Sequence, residues 1–292
     1  MNLVQQLLPL DPYNIRTDKA VAAMAVQLNF FDCGGMGIRI WISHKIADVA
    51  TLSSFLVVWA TRSRGVVENI TPSLNSATIF PPRYKQIFMP SNLIKREKIV
   101  TKRFVFDASS LARMKVKASK GLGMDDCAPT RVEAVTALIC KSSMNTKNGT
   151  SGKGRPSMAI SHVVNLRERM VPPLPEHSFG SIWRFAVASI MKDERNIELH
   201  EFVVQLRKVI RKINDDYVRK LQGEDGFSHA CKPLKETSEL VSQGEVEFYR
   251  FSSWDSSSSD GIEAWVTLEE EDMAKLECDH ELLEFCLLAK GS

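Results

Sequence analysis

Apolar and polar positions alternate in two runs near the start of the chain. In VAAMAVQLNFF (21–31), Ala22, Met24, Val26, Leu28 and Phe30 fall on one face, the period of a strand. DCGG follows as a turn signal. GIRIWISH then alternates again, with Ile38, Ile40, Ile42 and His44 on one face and Arg39, Trp41 and Ser43 on the other. This predicts a hairpin whose second strand ends at His44. The period then changes: Leu52, Phe55, Leu56 and Trp59 recur at helical spacing, which predicts a helix over about 49–62.

Residues 65–95 lack periodicity and carry Pro72, Pro81, Pro82 and Pro90, so they read as a long crossover. KRFVFD reads as a strand leading to a helix from Ser109, ended by Gly121 and Gly123. Thr130 and Glu133 have capping-box spacing ahead of an apolar stripe of Val132, Val135 and Ile139. NTKNGTSGKGRP is a polar loop, and SMAISHVVNLR and SIWRFAVASI read as strands. The strongest helical stripe is Leu199, Phe202, Val203, Leu206, Val209, Ile210, Ile213 and Tyr217, which predicts one helix over 197–221. EVEFYRF and GIEAWVTL read as strands around SSWDSSSSD, followed by a last helix over about 270–287. The mixture predicts an α/β class with mostly antiparallel or mixed strands.

At 292 residues, with 44% apolar and 25% charged positions, the chain has room for a sizeable core and about two domains. No apolar run approaches the roughly 20 residues of a spanning helix. MNLVQQLLPLDPYN has no basic n-region and does not read as a signal peptide. Cys33, Cys127, Cys140, Cys231, Cys278 and Cys286 show no C-x-x-C spacing, which predicts reduced thiols in a cytoplasmic protein and no zinc site. The net charge of +3 leaves no nucleic-acid footprint and does not oppose an anionic ligand.

The chemistry candidates are few. GTSGKGR (149–155) fails as a phosphate loop, because Gly154-Arg155-Pro156 stands where Gly-Lys-Ser/Thr is needed. The basic stretch around 207–220 reads as the solvated face of an amphipathic helix. No G-x-S-x-G elbow exists, and His162 and His177 read as structural or surface residues. His44 and Asp48 remain, four positions apart. On spacing alone, two readings stand: a strand-end histidine followed by a helix N-cap, or a general base with a carboxylate behind it.

The surrounding segments add a resemblance. NFFDCGG, ISHKIAD and SSFLVVWA, then TRVEAVTALICK, SHVVNLRERMVPPLPEHSFGSIWRFAVA and DGIEAWVTLEEEDMAKLECDHELLEF together resemble the plant BAHD acyl-CoA-dependent acyltransferases, in the branch that contains vinorine synthase. The resemblance implies two α/β domains of the chloramphenicol-acetyltransferase type with mixed sheets, joined by a long crossover, with the active site in a channel between them. It implies acyl transfer, acetyl by default, from acyl-CoA to a hydroxyl or amine of a plant metabolite. Acyl-CoA is then a co-substrate, and no cofactor is permanently bound. By resemblance the motif residues are His44, the base, and Asp48, which turns away and pairs with an arginine; Arg167 in VNLR matches that arginine. The partners implied are an acyl-CoA and a small-molecule alcohol or amine, with a monomeric protein, no nucleic acid and no membrane.

Three departures shape the expectations. Val49 stands where the family has glycine, which predicts a slightly reshaped loop. The family's D-F-G-W-G is absent between YRFSSW and DGIEAW. The family's first strands and helices would precede MNLVQQ. The domains expected are therefore a remnant N-terminal domain over 1–64 carrying H-x-x-x-D, a crossover over 65–100, and a C-terminal domain over 101–292 lacking D-F-G-W-G. An impaired or inactive truncated member that at most binds CoA or a partner is the alternative. Missing strands also predict uncovered apolar faces.

Overall fold

The computed structural model describes residues 22–66, 70–82, 99–123, 127–146, 157–190, 197–242, 246–255 and 260–288. The GTSGKGR loop and the serine run at 256–259 lie outside them. The chain divides into two compact units. Unit 1 comprises Met1–Arg83 with Asn165–Trp183, and unit 2 comprises Tyr84–Val164 with Arg184–Ser292.

In unit 1, β1 (Met24–Phe30) pairs antiparallel with β2 (Met36–Ile42), with Met24 opposite Ile42 and Phe30 opposite Met36. Gly34 takes a positive φ in the turn and donates its N–H to the Phe31 carbonyl. The predicted hairpin is present, but its strand stops at Ile42, so His44 sits in the turn beyond it. α1 (Val49–Ser63) follows, and a short α2 (Ser76–Ile79) lies in the predicted crossover. The apolar face of the hairpin is uncovered: Leu28 is 52% exposed and Phe30 77%, and Val26, Met36 and Ile38 are exposed as well. On α1, Phe55, Leu56, Val57 and Trp59 are also exposed. Among the described residues of unit 1, the buried apolar side chains are Ala47, Leu166 and Ile182.

Unit 2 is built on a six-stranded mixed sheet of order β5-β4-β6-β7-β3-β8. The strands are β3 (Ile99–Phe106), β4 (Ser157–Asn165), β5 (Trp183–Ile190), β6 (Val246–Asp255), β7 (Ile262–Glu269) and β8 (Leu287–Leu288). β6 runs parallel to β4 and antiparallel to β7, with Asp255 opposite Ile262. β6 ends at Asp255 and β7 begins at Ile262, and the place where D-F-G-W-G was expected falls at 256–259, outside the described residues. α3 (Ala108–Ser119) and α4 (Arg131–Thr146) begin with side-chain caps. Asp107 accepts from the Ser110 N–H at 2.7 Å, and Thr130 and Glu133 bond reciprocally at 2.8 and 3.1 Å. α4 is buried from Ala134 to Cys140, because α3, α5 (Leu199–Arg211), α8 (Glu270–Leu276), α9 (His280–Leu283) and β7 all pack on it. Phe104 and Phe106 of β3, Leu138 of α4, Ile160 of β4 and Phe202 of α5 join one continuous core.

The long helix expected over 197–221 is two helices. α5 ends at Arg211, and α6 (Asp215–Gln222) restarts after Asn214, whose side chain accepts from the Tyr217 N–H at 3.1 Å. An asparagine that can cap a new helix competes with continuation of the old one. α7 (Gly226–Ser242), which carries Pro233, follows without a sequence expectation. The last helix also breaks: Asp279 caps α9 through the Leu282 N–H at 2.8 Å, and the chain then enters β8. The division into units differs from the expected boundaries as well. Residues 165–183 fall in unit 1, where Arg167 and the backbone of Gly180 and Ile182 bond to Asp48 and Thr51.

Candidate active site

The site lies within unit 1, where the turn after β2 meets the segment 165–183. Asp48 adopts an extended backbone and caps α1, with Oδ1 accepting from the Thr51 N–H at 2.9 Å. The helix-cap reading of Asp48 therefore holds, and the carboxylate has a second task. Arg167 meets it as a fork: Nη1–H donates to Oδ2 at 2.7 Å and Nη2–H to Oδ1 at 3.0 Å. The Ile182 N–H also donates to Oδ2 at 2.9 Å. Both residues are buried.

The rest of the guanidinium is committed too. Nε–H donates to the Ser178 carbonyl at 3.1 Å and Nη1–H to Asn165 Oδ1 at 3.1 Å. Nη2–H reaches Thr51 Oγ1 and the Gly180 carbonyl, each at 3.0 Å. Thr51 Oγ1 in turn donates to the Gly180 carbonyl at 2.9 Å and accepts the Gly180 N–H at 3.1 Å. A buried charge pair is tolerated where further hydrogen bonds satisfy its remaining groups, and here they do. Burial pushes the Asp48 carboxyl up, but the Arg167, Thr51 and Ile182 hydrogen bonds outweigh it and hold the group below its ordinary value.

Gly180 has φ +148°, and a Cβ there would sit 2.8 Å from the Ser76 hydroxyl. Glycine is needed at this position for both reasons. Ser76 donates to the Phe179 carbonyl, and Ser73 pairs with Ser178, which ties the crossover segment to the same loop. Val49 takes the first helical position of α1 with its side chain exposed. A β-branched residue is accommodated there, since helical φ needs no glycine.

His44 is exposed, one turn before this brace. Its Nδ1 lies 3.4 Å from Ser181 Oγ, and its ring lies 5.4 Å from the Trp183 ring, tilted by 53°. Trp183 Nε1–H donates to Ser181 Oγ at 2.9 Å. The arrangement presents a titratable imidazole on a turn whose base is fixed by a buried ion pair. Asp48 is committed to Arg167 and backbone N–H groups, so it braces the turn. Ser43 anchors its start, donating its N–H to the Ala23 carbonyl at 2.9 Å and accepting from Ile46 and Ala47.

The structure brings His44, Asp48 and Arg167 into one unit, although Arg167 lies far along the chain. Sequence reading missed Thr51, Asn165, Gly180, Ser181 and Trp183. Gly180 carried a signal, a lone glycine before a strand, which marks close backbone approach. His162 is half-buried on β4, and His177 Nδ1 lies 3.3 Å from Ser54 Oγ. Arg207, inside the basic stretch read as solvated, instead forks onto Glu133 at 2.9 Å through both Nε and Nη2. Among the described residues, no group of three His, Cys, Asp or Glu could hold a metal ion.

Residues 1–259 match the family described as Transferase family. A limonoid 7-O-acetyltransferase of Citrus sinensis is 34% identical over 307 residues, covering 90% of this chain and 66% of that protein. The crystal structure of vinorine synthase superposes with a TM-score of 0.71 at 26% identity, covering 96% of this chain and 70% of that one. A F. graminearum protein solved with coenzyme A and deoxynivalenol shares the fold, at TM-score 0.69 and 15% identity over 90% of this chain and 70% of that one. The chain spans about two thirds of the length of the curated relatives it matches.

Proposed function

Because the chain belongs to the transferase family of BAHD acyltransferases, we propose that it transfers an acyl group, acetyl in the first instance, from acyl-CoA to a hydroxyl or amine of a plant specialised metabolite, with His44 as general base. The observation that carries this reading is the buried Asp48–Arg167 fork beneath the exposed His44. It fixes the turn and commits Asp48 elsewhere, which leaves the His44 imidazole as the group of the motif placed to take a proton from an acceptor. The acetyl donor follows the named activity of the Citrus sinensis relative, and the CoA donor is supported by the CoA-bound neighbour of the same fold.

In the proposed reaction, His44 takes the proton of the acceptor O–H or N–H as that oxygen or nitrogen attacks the thioester carbonyl carbon. The carbonyl electron pair moves onto oxygen, giving a tetrahedral intermediate. Collapse re-forms the carbonyl and breaks the C–S bond. The CoA sulfur leaves with the proton held by the imidazolium. Acylated acceptor and free CoA thiol result, with no acyl group on the protein. We further assign the chain to the cytoplasm, a reading supported by its scattered free thiols, where it acts on small molecules as a monomer at low protein concentration.

The test is direct. Purified protein with acetyl-CoA and a panel of terpenoid and alkaloid alcohols is expected to give acetylated product and equimolar free CoA, with unmodified intact mass. An acyl adduct on the protein, or no product with any acceptor, overturns the reading. A second reading, a chain that binds acyl-CoA without turnover, is favoured by the uncovered apolar face of unit 1 and the absence of D-F-G-W-G. It predicts a rise in melting temperature with acetyl-CoA and no product.

A further inference from the structure

Two groups outside the H-x-x-x-D motif sit against the imidazole, and both come from the segment that also supplies Arg167. We propose that Ser181 is a positioning residue for His44: its hydroxyl, oriented by the Trp183 indole N–H, takes the imidazole Nδ1–H and leaves Nε2 as the nitrogen that accepts the substrate proton. The inference rests on His44 acting as the base.

The hydrogen-bond inventory supports it. An indole N–H can donate and cannot accept, so Trp183 Nε1–H at 2.9 Å occupies one lone pair of Ser181 Oγ. That bond fixes where the serine oxygen sits. The second lone pair and the hydroxyl's own proton remain, and His44 Nδ1 is 3.4 Å away; the tautomer sets which of the two groups donates. In a neutral imidazole one nitrogen donates and the other accepts. With Ser181 on the Nδ1 side, a working base needs its proton there and its free lone pair on Nε2. The Trp183 ring lies beside the imidazole, with centroids 5.4 Å apart and planes tilted by 53°. Asp48 cannot perform this service, because both of its oxygens are bonded to Arg167 and to backbone N–H groups.

Long-range ¹H–¹⁵N NMR of the imidazole nitrogens tests the proposal, with the His44 signals identified by their loss in His44→Ala. In its neutral form, wild-type His44 is expected to carry its proton on Nδ1. Ser181→Ala is expected to lose that preference and Ser181→Thr, which retains a hydroxyl, to keep it. Trp183→Phe keeps a ring but removes the indole donor, and is expected to weaken the preference without abolishing it. In turnover, Ser181→Ala is expected to lower kcat about tenfold, less than the roughly hundredfold or more of removing a general base outright, with KM for acetyl-CoA unchanged and Ser181→Thr restoring the rate. The same tautomer in wild type and Ser181→Ala, or Nε2–H in wild type, overturns the proposal. The NMR readout does not depend on turnover: the expected tautomers without product would sink the acyltransferase reading alone, and turnover without a tautomer change would sink the positioning role alone.

Discussion

Asp48 and Arg167, 119 positions apart in sequence, meet as a buried fork in which every carboxylate oxygen and every guanidinium nitrogen has a partner. Removing one partner leaves the other charge buried and uncompensated. Asp48→Ala is expected to lower the unfolding free energy by about 3–5 kcal/mol, part of it the loss of the α1 cap, itself about 1 kcal/mol. Arg167→Lys is expected to recover little, since an ammonium cannot make a planar fork. Urea unfolding of the three proteins checks this, and equal midpoints would contradict it.

The same pair sets an acid limit. The folded Asp48 carboxyl lies below its ordinary value of 3.8. A depressed carboxyl contributes stability above its unfolded value, and that contribution is lost as pH falls through the folded one. Glu133, held down against its own burial by Arg207 and Thr130, acts with the same sign. The melting temperature is expected to be nearly flat from pH 7 to about 5 and to fall below about pH 4. The fall should be shallower in Asp48→Asn, which keeps the cap oxygen and lacks the titration. Melts across this range read it directly.

Gly180 combines a positive φ with a close approach to Ser76, so Gly180→Ala strains the backbone and meets a side chain at once. A loss of about 1–3 kcal/mol is expected, together with loosening of the loop that receives Thr51 and Arg167. Thermal melts and hydrogen exchange at the Gly180 and Ile182 amides measure both effects.

The hairpin predicts a surface property. Leu28 and Phe30 are exposed, next to Val26, Met36 and Ile38, and a contiguous apolar face of this kind binds hydrophobic dyes and promotes association. Leu28→Thr with Phe30→Thr is expected to reduce ANS fluorescence and concentration-dependent scattering while leaving the melting temperature nearly unchanged. A large loss of stability would show that the face is covered in solution.

How far the sequence could be read depends on the range of the signals. The hairpin, α1 and the α4 capping box were legible because alternation, helical spacing and a Thr-x-x-Glu pattern act over a few residues. The breaks at Asn214 and Asp279 were hidden, because the apolar stripe continues across them and the competing caps are single side chains. The membership of 165–183 in unit 1 was also hidden. It rests on Arg167 and Gly180 reaching Asp48 and Thr51, contacts that no local period encodes. His44, Asp48 and Arg167 were singled out only through the resemblance of ordered segments to a family, and the Asp48–Arg167 fork that the structure shows spans a distance no local period encodes. Ser181 and Trp183 had neither a period nor a motif to mark them.

The central claim is that His44 supplies the base of an acyl transfer while Asp48 braces it. Free CoA release from acetyl-CoA, measured with a productive acceptor for wild type and His44→Ala, tests it most directly. Loss of about a hundredfold or more in His44→Ala, the scale of a removed general base, with an unchanged melting temperature, is the predicted result. Equal CoA release by the two proteins would contradict it.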